Sequence, residues 1–175
     1  MIEQAKIKQL TPCKLGILDE VRMLDFDKTV KSSYAPERLE IWYGFASNLQ
    51  SIKDGRANVE WVRDFPDWLD ELRKTYFPEA DSSLICRGTR NDSDTSIEWH
   101  RDHGCFENRV VMINFGKAIF YIQTYDDGII VKHLYDGEVV DFDSKLLHKS
   151  SQTSDERYII TFRKVKREFL RHKLF

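Results

Sequence analysis

His100, Arg101 and Asp102 close a run of residues, 96–100, that reads as a β-strand, and His148 follows 46 residues after Asp102. Residues two apart on a strand point to one side, so the imidazole of His100 and the carboxylate of Asp102 are expected to converge. An antiparallel barrel would bring His148 back beside them. Two histidines and one carboxylate on one face, with further coordination positions open, form the ligand set of a non-haem Fe(II) centre. The bland alternative is a surface histidine beside an aspartate turn, a spacing that five histidines in 175 residues often produce by accident.

The segment Arg157-Tyr158-Ile159-Ile160-Thr161-Phe162-Arg163 shifts the balance. Strand alternation sets Arg157, Ile159, Thr161 and Arg163 on one face. Two guanidiniums facing into a barrel are costly to desolvate unless anions meet them, and a dicarboxylate offers two anionic ends that Arg matches bidentately. The competing arrangement pairs one Arg with a protein carboxylate and lets the other reach solvent at a strand end.

A His-Arg-Asp triplet also occurs in protein kinase catalytic loops, where Asn follows the Asp after four residues. Here Asn108 comes after five, no GxGxxG is present, and Asp141-Phe142-Asp143 is not the kinase metal motif. A kinase is excluded.

These groups need a rigid scaffold, and the chain can build one. A length of 175 residues suits a single domain, with 41% hydrophobic, 13% aromatic and 32% charged residues in keeping with a globular protein. Apolar runs such as 118–122 fall far short of the roughly 18 residues of a membrane span, and the first residues lack a signal-like apolar stretch, so a cytoplasmic location is expected. Cys13, Cys86 and Cys105 have no CxxC spacing and read as reduced thiols. Formal charge is −2, but residues 163–175 carry six Lys/Arg against one Glu. Only that tail suggests nucleic acid. Nothing in the sequence sets the oligomeric state, and a monomer is compatible with it.

Strands are expected at 39–43, 83–87, 96–100, 109–115, 118–124, 129–134, 138–142 and 157–163, with turns at 116–117, 126–128 and 136–137. Pro66 followed by Trp68, Leu69, Leu72 and Tyr76 on one stripe predicts a helix. The expected fold is mainly β with N-terminal helices, a double-stranded β-helix (jelly roll). One domain would span 1–175, with a helical and lid segment over 1–80 and the jelly-roll core over 81–175.

Taken in order, these segments resemble the AlkB-like Fe(II)/2-oxoglutarate-dependent dioxygenases over most of the chain. Trp99-His100-Arg101-Asp102 is similar to that family's metal motif, His148 to its distal ligand, and RYIITFR to its strand of two arginines. LYDGEVVDFDSKLLH, RLEIWYG (38–44) and the stretch 65–87 resemble the segments around them. The resemblance implies Fe(II) held by His100, Asp102 and His148. It further implies 2-oxoglutarate as cosubstrate, bound by Arg157 at its distal carboxylate and Arg163 at the carboxylate beside the keto group, and O2 as co-reactant. The implied reaction yields succinate and CO2 while a substrate C–H bond is hydroxylated, and an N-methyl so oxidised is lost as formaldehyde. Two departures stand out. Arg87-Gly88 replaces the Tyr that often contacts 2-oxoglutarate, and Gly104 stands where repair enzymes often carry an acidic base reader.

For the substrate, Trp42 and Tyr43 are candidates to stack on a flat ring, and His103 to offer a polar contact, although core packing and an exposed loop account for them as well. His133 is expected to face out of its strand. A single-stranded nucleic acid bearing an alkylated base is the expected substrate, ahead of a protein or small molecule. A metal-binding jelly-roll module without turnover is the alternative from another class.

Overall fold

The computed structural model describes residues 7–26, 37–48 and 58–170. In chain order they form strand β1 (Lys8–Leu10), helix α1 (Ile17–Arg22), β2 (Leu39–Asn48), β3 (Asn58–Arg63), α2 (Asp67–Tyr76), β4 (Ser82–Thr89), β5 (Ile97–His100), β6 (Phe106–Phe115), β7 (Ala118–Gln123), β8 (Ile129–Leu134), β9 (Glu138–Asp143), β10 (His148–Gln152) and β11 (Glu156–Val165). The strands make two antiparallel sheets, one ordered β1-β9-β6-β11-β4-β2-β3 and the other β5-β10-β7-β8. From β4 onward the chain passes back and forth between the sheets. That winding is the double-stranded β-helix expected from the sequence.

Strand alternation divides the larger sheet's side chains between two cores. Ile41, Tyr43, Ile85, Val111, Ile113, Ile160 and Phe162 pack outward against Val21 of α1 and Leu69 of α2. The odd-even partners Leu84, Cys86, Met112, Val140, Phe142 and Ile159 face inward onto Phe120, Ile122 and Leu134 of the smaller sheet. The helix predicted after Pro66 is α2. Its N-cap Pro66 is extended and its buried Leu69 stripe rests on the larger sheet.

The N-terminal third is less helical than expected, because β1, β2 and β3 extend the larger sheet at both edges. β3 carries apolar residues on both faces, Val59 and Trp61 on one and Val62 on the other, and only Val59 is buried, so its sequence does not mark one buried face. β10, His-Lys-Ser-Ser-Gln, has no β-branched residue at all. It is a strand because β5 and β7 pair with it on both sides.

Gly116 and Gly137 have positive φ at the turns before β7 and β9, and Asp127 does so before β8. These are the three turns expected from the sequence.

Candidate metal centre and its anion pocket

His100 ends β5, His148 begins β10, and the two are register partners in the smaller sheet with ring centroids 4.2 Å apart. Asp102 lies beyond the end of β5, so strand alternation is not what aims it. Its amide donates to the Ser144 carbonyl at 3.0 Å, which folds the chain back over the β9–β10 connection. The Asp102 Oδ1 atom then lies 3.6 Å from His100 Nε2 and 3.5 Å from His148 Nε2. One ligand atom from each of the three falls within 4.8 Å of the others, a group able to hold a metal ion.

The tautomers suit that role. His100 Nδ1 lies 2.8 Å from the Glu98 carbonyl, and His148 Nδ1 lies 2.8 Å from the Leu146 carbonyl. A carbonyl only accepts, so each Nδ1 carries a proton, and in the tautomer this selects the Nε2 atom is the one that can serve as a ligand. Phe120 and Phe142 pack beside His148, their ring centroids 6.0 and 5.2 Å from its own.

Arg163 Nε donates to Asp102 Oδ2 at 2.6 Å, and its Nη1 donates to Thr161 Oγ1. Burial pushes the Asp102 carboxyl up, but the Arg163 charge and the two imidazoles outweigh it and hold the group well below the usual carboxylate range. One arginine of the pair therefore does meet a protein carboxylate. The other does not reach solvent. Arg157 is 0% exposed and its partners are neutral: Nε donates to Asn114 Oδ1 at 2.8 Å, and Nη1 to Ser150 Oγ at 3.1 Å and Thr95 Oγ1 at 3.3 Å. Among the described residues its Nη2 has no partner. Burial lowers the Arg157 pKa to about 10, opposed by the more distant Cys86 and Asp94, and the group stays charged at neutral pH.

A cavity of about 370 Å³ joins these groups, lined by the three candidate ligands together with Arg163, Ser150 and Ile159. Arg157 is not part of this lining but stands directly behind it, bonded to Ser150. Trp42 and Phe106 form another wall, their rings parallel within 8° and 6.3 Å apart. Tyr43 corrects the sequence reading: as the next residue on β2 it takes the opposite face and is buried against the helices, 5% exposed. His103 does line the cavity. The Cys105 amide donates to His103 Nδ1 at 3.2 Å, which puts the ring proton on Nε2. Burial and then the Lys145 charge lower its pKa, so it is neutral at pH 7. His133 is exposed on β8, as expected.

Gly88 and Gly104 have different reasons to be glycine. A Cβ at Gly88 would sit 2.4 Å from Gln152 Oε1 and 2.4 Å from the Thr95 amide, so the space of the expected Tyr is already filled by the Gln152–Thr95 network behind Arg157. Gly88→Ala is expected to lower stability by about 1–3 kcal/mol through overpacking, measured by denaturant unfolding. A Cβ at Gly104 meets nothing within 4 Å.

Three participants escaped the sequence reading. Lys145 Nζ donates to the carbonyls of His103 at 2.8 Å and Asp102 at 3.3 Å and, with Ser144, straps down the segment bearing Asp102. Its nearness to the distal histidine was the available signal. Arg38 lines the cavity and its Nε donates to the buried Glu40. Only the cross-sheet register brings them there. In the basic tail, Arg163 is turned into the cavity, and residues 171–175 lie outside the described residues.

No known family model matches the sequence, and no curated protein does. Among solved structures, OsALKBH1 is similar with a TM-score of 0.60 and 16% identity, over 91% of this chain and 100% of that one. An oxidoreductase of the 2OG-Fe(II) oxygenase family from Burkholderia pseudomallei is similar with a TM-score of 0.58 and 14% identity, over 85% of this chain and 77% of that one. The chain has the jelly-roll fold of such oxygenases.

Proposed function

We propose that this protein is an Fe(II)- and 2-oxoglutarate-dependent oxygenase that hydroxylates a C–H bond of its substrate. One observation carries the reading: a fully buried Arg157 whose hydrogen-bond partners are all neutral and whose Nη2 has no partner among the described residues, held behind Ser150 of a cavity that His100, Asp102 and His148 also line. A desolvated guanidinium of this kind requires an anion, and a dicarboxylate running from the triad towards it would supply one. The donor set of two imidazoles and a carboxylate suits Fe(II).

Fe(II), when bound, supplies O2 activation coupled to decarboxylation of the keto acid. The chain's own groups do the rest. His100 and His148 are fixed in the metal-binding tautomer by the Glu98 and Leu146 carbonyls, and Arg163 and Lys145 fix Asp102. Arg157 binds and orients the cosubstrate through a charge-assisted pair, and Phe120, Phe142, Met112 and Leu84 keep water from the reaction.

For the substrate, Trp42 in the cavity wall supports a flat ring such as an alkylated nucleobase, with demethylation as the outcome when the oxidised carbon is an N-methyl. Gly104 brings no acidic group to read a base, which favours a peptide or small molecule as the second reading. Succinate should form from 2-oxoglutarate with Fe(II) and O2 even before a substrate is added. Cosubstrate binding without succinate would point to a module without turnover, and absence of both would overturn the proposal. A nucleic-acid substrate further predicts oligonucleotide binding that weakens steeply with salt, read by fluorescence anisotropy.

A further inference from the structure

Arg38 and Glu40 form an ion pair in the wall of the cavity that the proposed reaction does not use. Glu40 is 2% exposed, and the side chain of Arg38 is 13% exposed. Buried ion pairs contribute little stability compared with apolar residues of the same volume, so the position of this pair is its informative property.

Leu39 pairs with Arg87 on one side of β4, and Arg157 pairs with Gly88 on the other. The pairing ends at Leu39, and its register continued by one residue would set Arg38 against Gly88, placing Arg38 and Arg157 on either side of a residue with no side chain. Arg38 lines the same cavity as the triad, whereas Glu40 stands outside its lining. Among the described residues, Glu40 takes one of the five N–H donors of Arg38. Burial lowers the Arg38 pKa, but Cys86, Glu40 and Asp102 together raise it, so the guanidinium feels the triad's own carboxylate. Among the described residues, Arg38, Arg101 and Arg163 in the lining and Arg157 behind Ser150 outnumber the carboxylates near them, Asp102, Glu40 and Asp94. The interior is cationic before any metal enters, and a dianion suits it.

We propose that Arg38, steered by Glu40, is a second guanidinium contact for the carboxylate of the keto acid farthest from the triad. It acts from the β2 side while Arg157 acts from β11, and fills the role that a side chain at position 88 has no room to play. The inference rests on the cosubstrate reading above.

The test is equilibrium binding to the Mn(II)-loaded full chain of 2-oxoglutarate and of 2-oxobutyrate, which lacks the remote carboxylate. Arg38→Met is expected to weaken 2-oxoglutarate about tenfold or more and leave 2-oxobutyrate unchanged, with only partial recovery in Arg38→Lys because the planar fork is lost. Since Arg38→Met strands a buried carboxylate, Arg38→Met/Glu40→Gln is measured alongside, with thermal melting to show that it is folded. The same selective loss in the folded double variant supports the proposal. Unchanged 2-oxoglutarate affinity there, with Arg157→Ala still deficient, overturns it and leaves the cosubstrate reading standing. Equal losses for both keto acids also overturn it, placing Arg38 at the keto end. If Arg157→Ala and the Arg38 variants all bind as the unaltered chain does, the cosubstrate reading itself fails.

Discussion

His100→Ala and His148→Ala are expected to abolish succinate formation and to weaken Co(II) or Mn(II) binding by more than the roughly 10–100-fold typical of losing a supporting contact to a metal ligand. Asp102→Ala should do the same, but it also strands Arg163, whose side chain is 12% exposed and whose Nε bonds Asp102 Oδ2. Breaking one side of a buried pair costs about 3–5 kcal/mol, so this variant is expected to melt well below the two histidine variants. Asp102→Ala/Arg163→Met should recover much of that stability and none of the metal affinity. Metal affinity equal to that of the unaltered chain in any folded variant would remove that residue from the ligand set.

Arg157→Ala is expected to weaken 2-oxoglutarate binding by about 2–4 kcal/mol, roughly 30- to 900-fold, because the lost contact is charge-assisted and desolvated. Lys at this position should rescue poorly, since it lacks the fork that engages Asn114, Ser150 and Thr95 together. Arg157→Met provides the control for folding. It removes a buried charge together with the donors to Asn114, Ser150 and Thr95, two effects of opposite sign, so melting without ligand is measured first to show that the variant is folded. The rise that 2-oxoglutarate produces in the unaltered chain should vanish with it. A full ligand-induced rise in Arg157→Met would place the cosubstrate elsewhere.

How much of this was legible in the sequence follows from how far each feature depends on distant residues. The strands β6, β7, β8 and β11 announce themselves because their apolar residues are mostly β-branched or aromatic, and the turns between β6, β7 and β8 carry Gly116 and Asp127 with positive φ. His100, Asp102, His148, Arg157 and Arg163 could be named as candidates from residue type and order. Their partners could not. Asp102 is aimed by a hydrogen bond to Ser144, Arg157 is seated by Thr95, 62 residues away, and Arg38 reaches the cavity through the pairing of β2 with β4. Tyr43 was misplaced for the opposite reason. It is adjacent to Trp42 in sequence, and period two sends adjacent residues to opposite faces.

The two sheets that frame the cavity also differ mechanically. Arg157 and Arg163 stand on β11, a ten-residue strand paired along its length with β4 and β6 and buried through most of its course. His100 stands on β5, a four-residue strand at the edge of the smaller sheet, paired on one side only and with a register shift between His148 and Ser150. A strand held on both sides opens only with the whole fold, whereas a short edge opens locally at much lower free energy. The cavity thus has a stiff floor and a compliant rim. In an enzyme of the proposed kind, differences in substrate size and shape would be absorbed where β5 and segment 101–103 yield, while the placement of the two arginines on β11 is kept.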